Sequence, residues 1–254
     1  MSESRTLLGV DFEVCARNEA VARIDRAFVD RQQLKLAFAN AHTLNLASER
    51  QDFRNALSRF LVFNDGLGVD LASRIKFGAF FPENLNGTDF VPHYLSTTRH
   101  PLRIFFLGSA PGVAEAAANR LVPPGSRHDI AGCHHGYFDA GSADRVLADI
   151  RLSQADLVLV AMGNPLQELW IDRHAEATSA PVLMGVGALF DFVSGRLPRA
   201  PGWVRAGRVE WLYRLAREPR RLRGRYIVGN WKFLGRVARE RASAAAAPSA
   251  PTGV

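Results

Sequence analysis

Short unbroken apolar runs alternate along this chain with longer stretches in which apolar residues return every third or fourth position. The runs predict strands over residues 34–40, 60–63, 102–107, 128–131, 157–161 and 181–185, after an opening strand or hairpin over residues 6–14. The helical spacing predicts helices over residues 18–31, 41–50, 52–58, 71–75, 90–98, 113–121 and 143–153, and another starting at Leu166. The helix over 90–98 is expected to be capped from Thr88 or Asp89. The run Leu157-Val158-Leu159-Val160-Ala161 is apolar throughout, as a strand is when both faces of a parallel sheet are covered. Repeated strand–helix alternation predicts an α/β fold with a mostly parallel sheet and helices on both faces.

Composition changes at Arg196. Residues 196–241 carry 14 Arg or Lys against 3 acids, whereas the whole chain has a net charge of only +7. The chain therefore divides into a core over 1–195, a basic helical appendage over 196–241, and an Ala/Ser/Pro-rich tail over 242–254 expected to be disordered. Leu222, Tyr226, Phe233 and Val237 fall near one helical face of the appendage, with Trp231 and Leu234 beside them. Two readings stand: an interfacial helix on a membrane surface, or a packed helix with a solvated basic side. The same apolar surface could also serve a homo-oligomer.

The pI of about 10.1 suggests an anionic partner: nucleic acid, a membrane surface or a phosphorylated substrate. A nucleic-acid binder needs a recognised module or stacking aromatics on strands, and neither is found. Cys15 and Cys133 match no metal-ligand spacing and read as reduced thiols. The chain opens with no signal-peptide pattern and has no apolar run near the ~20 residues of a membrane span, so a cytoplasmic protein is expected.

Candidate chemistry gathers where strands end. Phe63-Asn64-Asp65-Gly66-Leu67-Gly68 puts an acid and two glycines between a strand and a helix, where open α/β sheets place their ligands. Asp65 is the candidate catalytic base, although an Asp-Gly turn with a helix cap is the commoner use of such residues. The two glycines are expected to let the backbone approach a bound group closely. Further glycine turns are expected around Gly108, Gly132, Gly163, Gly185 and Gly187, converging on one sheet edge. There, backbone N–H groups and helix amino termini suit a diphosphate. The GxGxxG fingerprint and the P-loop are both missing, which argues against a nicotinamide or ATP enzyme. Without an Asp-x-Asp metal clamp, arginines such as Arg214, Arg220 and Arg221 could neutralise a leaving diphosphate, or simply form a solvated face. Gln167 fits a sugar or uracil contact. His135 can hydrogen-bond a ligand, whereas its neighbour His134 reads as a loop histidine. Glu168 reads as a helix-dipole acid without a further role.

Several motifs occur together and in order: Asp65-Gly66-Leu67-Gly68, His134-His135-Gly136-Tyr137-Phe138, Gly163-Asn164-Pro165-Leu166-Gln167-Glu168 and Gly185-Val186-Gly187-Ala188-Leu189-Phe190-Asp191-Phe192. Arg199-Ala200-Pro201, Glu210-Trp211-Leu212-Tyr213-Arg214-Leu215 and Glu218-Pro219-Arg220-Arg221 complete the set. The set resembles the WecG/TagA/CpsF family of glycosyltransferases over nearly the whole chain. The resemblance implies a Rossmann-like core and a C-terminal appendage that docks on the inner face of the cytoplasmic membrane. It implies inverting, metal- and cofactor-independent transfer from a UDP-sugar to a sugar on a polyprenyl diphosphate, in exopolysaccharide or cell-envelope polysaccharide synthesis. Asp65 matches the family's proposed base, Asn40 and Gln167 match site residues, and the appendage arginines match those held to grip diphosphate. Asn84 and Asp89, in the loop Asn84-Leu85-Asn86-Gly87-Thr88-Asp89, are carried over as substrate-orienting residues. Two positions depart: Phe38 stands where the family often has Thr, and Asn84 where it often has Arg. This loop looks more like members that transfer hexoses other than N-acetylmannosamine. A non-catalytic binder of lipid-linked sugars is the rival reading, and the pairing of Asp65 with Gln167 argues against it.

Overall fold

In the computed structural model, which describes residues 3–202, 210–217 and 219–246, the chain opens with a hairpin of β1 (Ser4–Leu7) and β2 (Val10–Glu13). A six-stranded sheet follows, made of β3 (Leu34–Ala39), β4 (Leu61–Asn64), β5 (Arg103–Gly108), β6 (Asp129–His134), β7 (Leu157–Ala161) and β8 (Val182–Gly185). Its order is β4-β3-β8-β7-β5-β6, and every neighbouring pair is parallel.

Alternate residues of each strand enter opposite cores, because successive side chains of a strand point to opposite faces. Ala37, Ala39, Phe105, Leu107, Val158 and Val160 face one side; Leu36, Phe38, Ile104, Phe106, Leu157 and Leu159 face the other. The first side is covered by α2 (Ala41–Glu49), α3 (Gln51–Leu57), α4 (Leu67–Phe77), α7 (Ala140–Leu152) and α8 (Leu166–Thr178). The second is covered by α1 (Arg17–Val29), α5 (Gly87–Thr97), α6 (Val113–Leu121) and α9 (Leu189–Val193). The Rossmann-like α/β reading holds.

Several local expectations change. The fourth helix begins at Leu67 rather than 71, because Gly66, at φ +87°, makes the turn and the helix starts directly after it. The fifth is capped by the Asn86 side chain, which accepts from the Asp89 N–H, and not by Thr88 or Asp89. Strand β6 runs on to His134, so Gly132 lies inside a strand beside the Phe105 ring and not in a turn. Helix α9 was not expected as an element.

The basic segment forms α10 (Glu210–Arg217), α11 (Pro219–Arg223), a π-helical turn (Gly224–Val228) and α12 (Gly229–Ala246). Residues 242–246, expected to be disordered, continue α12; the rest of the expected tail, 247–254, lies outside the described residues. Phe233 and Val237 are buried in the core shared with α2 and α4. Burial of each contributes about 1.5–3 kcal/mol, more than the ~1 kcal/mol ceiling of an exposed ion pair such as Arg236–Glu49. The packed-helix reading therefore holds for this face of α12. Asn45 donates to the Gly229 carbonyl at 2.7 Å and accepts from Arg236 at 2.6 Å, which fixes the helix along α2. Trp231, Ile227 and Val228 remain exposed. Among the described residues, no helix is long and apolar enough to cross a membrane.

Candidate active site

Asp65 follows β4, and its N–H donates to the Ala39 carbonyl at the end of the neighbouring β3. Its Oδ2 accepts from Asn40 Nδ2 at 3.1 Å. Asn40 is the N-cap of α2, with its Oδ1 accepting from the N–H of His42 and Thr43 at 3.0 and 3.2 Å. Because capping consumes the amide oxygen, the amide nitrogen is the end left to face the carboxylate.

The loop before α5 braces the same turn. Asn84 Oδ1 accepts from the Gly66 N–H at 2.9 Å, so Asn84 orients the backbone behind Asp65. Asn64 donates to buried Asp70 at 3.2 Å and to the Glu83 carbonyl at 2.9 Å. Gly68, expected to face a bound group, instead faces Ala41 and Phe233, where its missing side chain lets α4 pack closely against α2 and α12.

A cleft of about 170 Å³ opens over the carboxyl ends of β4, β3, β8 and β7. Asn40, Asp65, Gly163, Gln167, Gly185 and Gly187 all line it. Phe38, Gly87 and Thr88 add an apolar wall and the amino terminus of α5. The Phe38 ring leaves no room for a side chain at position 87, where a Cβ would come within 2.7 Å of it.

Gln167 is used differently from expectation. It is 2% exposed, and its Oε1 accepts from the N–H of Gly163 at 3.1 Å and of Gly187 at 3.0 Å. Those two amides, expected to cradle a diphosphate, are thus taken up by a protein oxygen. Glu168, read as a helix-dipole acid, stands in the first turn of α8 but is fully buried, and it accepts from Asn164 and Gln167.

Other named residues lie elsewhere. Gly108 packs against the Ala161 backbone and Gly132 against Phe105, and neither lines the cleft. Asp89 pairs with Arg199 at 2.6 Å and accepts from Asn86 at 2.9 Å. His135 lies against His134, the rings tilted at 43° with centroids 4.6 Å apart, away from the cleft-lining set. Arg220 is exposed on α11; Arg214 and Arg221 stand on α10 and α11, with side chains outside the described residues. Burial pushes the Cys15 thiol up to about 12 and the Cys133 thiol to about 11, so both are protonated near neutrality. Sequence reasoning missed Asn164 and Glu168 as a contact. Their spacing of four at a helix start was the available signal.

A carboxylate and three carboxamides line a cleft at the carboxyl edge of a parallel sheet, the edge at which open α/β sheets bind their ligands. The sequence model of the Glycosyl transferase WecG/TagA/CpsF family matches residues 5–247, and the chain belongs to this family of glycosyltransferases. Similar proteins include the N-acetylglucosaminyldiphosphoundecaprenol N-acetyl-beta-D-mannosaminyltransferase of Staphylococcus aureus strain MW2. It is 29% identical over 236 residues, which cover 91% of this chain and 87% of that protein. The protein of the same name from S. aureus strain NCTC 8325 / PS 47 shows the same identity and coverage.

Burial pushes the Glu168 carboxyl up from 4.5 to about 7, against the hydrogen bonds from Gln167 and Asn164 that pull it down. Across that interval the folded protein holds a proton that the unfolded chain has released. The contribution of this carboxyl to stability is therefore fully present below about pH 4.5 and is lost as pH rises through about 7, by roughly 3 kcal/mol in all. Glu168→Gln, which cannot ionise, should match wild type near about pH 4.5 and exceed it by up to roughly that amount near about pH 8.5. Urea midpoints at the two pH values measure the difference, and an equal difference at both would contradict the assignment.

Proposed function

We propose that the protein transfers a hexose or N-acetylhexosamine from a UDP-sugar to a hydroxyl of a sugar carried on a polyprenyl diphosphate, with inversion at the anomeric carbon and without a metal. The observation that carries this reading is the Asp65 carboxylate, held by Asn40 on the rim of a cleft whose far wall is the Gln167 turn. In this mechanism Asp65 takes the proton of the acceptor hydroxyl as its oxygen attacks the anomeric carbon. The bond from that carbon to the diphosphate oxygen breaks, and UDP departs with the bonding pair. The amino terminus of α5 opens on the cleft, and its positive dipole end suits the departing anion. Appendage arginines, Arg214, Arg220 and Arg221 among them, would supply the remaining positive charge. The names of the S. aureus relatives support the acceptor class. Phe38 in the cleft wall supports a donor that needs no hydroxyl partner there.

A lipid-linked acceptor together with a UDP-sugar donor supports a reaction at the inner face of the cytoplasmic membrane, with the protein bound peripherally. Exposed Trp231, Ile227 and Val228, beside Arg223 and Lys232, would enter the headgroup layer. Truncation after Arg196 cannot test this, because it would also remove Phe233 and Val237 from the core.

A panel of UDP-sugars offered with polyprenyl-diphosphate-linked N-acetylglucosamine, read by product mass, should reveal one transferred sugar. Asp65→Asn should lower turnover by at least about 100-fold with the fold intact. Retention of most turnover by this variant would remove Asp65 from the chemistry. For the membrane contact, the double variant Ile227→Ser/Trp231→Ser should lose at least about tenfold in co-sedimentation with phosphatidylglycerol vesicles. Unchanged sedimentation would contradict it.

A further inference from the structure

Glu168 sits in the first turn of α8 with no solvent exposure, and its Oε2 has no hydrogen-bond partner among the described residues. Oε1 accepts from Asn164 Nδ2 at 2.5 Å and from Gln167 Nε2 at 2.8 Å. Both donors line the cleft. A buried acid costs free energy that a leucine of similar volume would not, so packing does not account for this residue.

The chemistry of the amides does account for it. A carboxamide has one accepting end and one donating end. An acceptor placed between Asn164 and Gln167 selects the nitrogen of each. Gln167 is then left with its oxygen turned to the N–H groups of Gly163 and Gly187, which follow β7 and β8. The Asn164 oxygen is directed away from Glu168 by the same choice.

We infer that Glu168 is a positioning residue of the cleft: it sets the orientation of the Asn164 and Gln167 amides, and through Gln167 it clamps the turn after β7 to the turn after β8. Its consequence for transfer rests on the reading of this cleft as the UDP-sugar site. Nothing in the role requires a charge, since the carbonyl oxygen of a protonated carboxyl, or of a glutamine, accepts in the same place.

The test uses the full chain with Glu168→Leu, which removes the acceptor, and Glu168→Gln, which keeps it. Glu168→Asp shortens the reach to both amides and carries the same expectation as Glu168→Leu should that variant fail to fold. Amide exchange at Gly163 and Gly187, without ligand, reports the clamp; calorimetric titration with UDP reports the cleft. Glu168→Leu should speed exchange at both glycines and weaken UDP binding by about tenfold or more, while Glu168→Gln stays within about threefold of wild type on both. Unchanged exchange in Glu168→Leu and Glu168→Asp, or a Glu168→Gln as impaired as Glu168→Leu, would overturn the inference. If wild type neither binds UDP nor transfers a sugar, the functional reading fails while the exchange data still decide the clamp.

Discussion

The side-chain amide of Asn40 closes the first turn of α2 with its oxygen and donates from its nitrogen to the Asp65 carboxylate. One group thereby joins the ends of two adjacent strands, β3 and β4, at the sheet edge. The cap fixes the amide's orientation, so the carboxylate meets a donor in a set direction. Asn84 then fixes the peptide after Asp65, and Asn64 ties the end of β4 to α4 and the loop above it. Of these three amides, Asn40 donates to the carboxylate, while Asn64 and Asn84 brace the backbone before and after it.

The other wall of the cleft follows the same logic. Gln167 joins the turns after β7 and β8 as Asn40 joins the ends of β3 and β4. The sheet carries both walls because it is buried on two faces, with large aromatic residues such as Phe63, Phe90 and Phe106 under one and α2, α4 and α12 under the other. Helix α12 belongs to this foundation, since Phe233 and Val237 complete the core against which α2 and α4 rest. The apolar residues that remain outside, Trp231 chief among them, lie on the same helical segment. The basic region is thus attached to the core by one face and offers another outward.

Much of this was legible in the chain. The unbroken apolar run of β7 announced a strand buried on both sides, and its bounds matched residue for residue. Asp65 and Gln167 were expected at the sheet edge because each follows a strand, and Asn40 from the family resemblance; all three line the cleft. What misled was glycine, which marks turns but also serves close packing. Gly132 sits inside β6 because the Phe105 ring fills the space beside it, and Gly68 sits against Phe233, 165 residues away in the chain. Neither contact has a local signature. The burial of Glu168 had no local signal either: its place in a first helical turn was legible, but what covers it depends on the three-dimensional packing of α8. The two faces of α12 could not be told apart by periodicity, which shows that a face is apolar and not what covers it.

The most direct measurement is a double-mutant cycle in turnover between Asn40→Ser and Asp65→Asn. Serine retains a cap for α2 but has no amide to donate to the carboxylate, so the cycle isolates that one hydrogen bond from helix stability. If Asn40 acts by holding the Asp65 carboxylate, Asn40→Ser should slow the wild-type enzyme by about tenfold and the Asp65→Asn enzyme hardly at all. Equal losses in both backgrounds would show that the two residues act independently, and the account of the site built on their contact would be wrong.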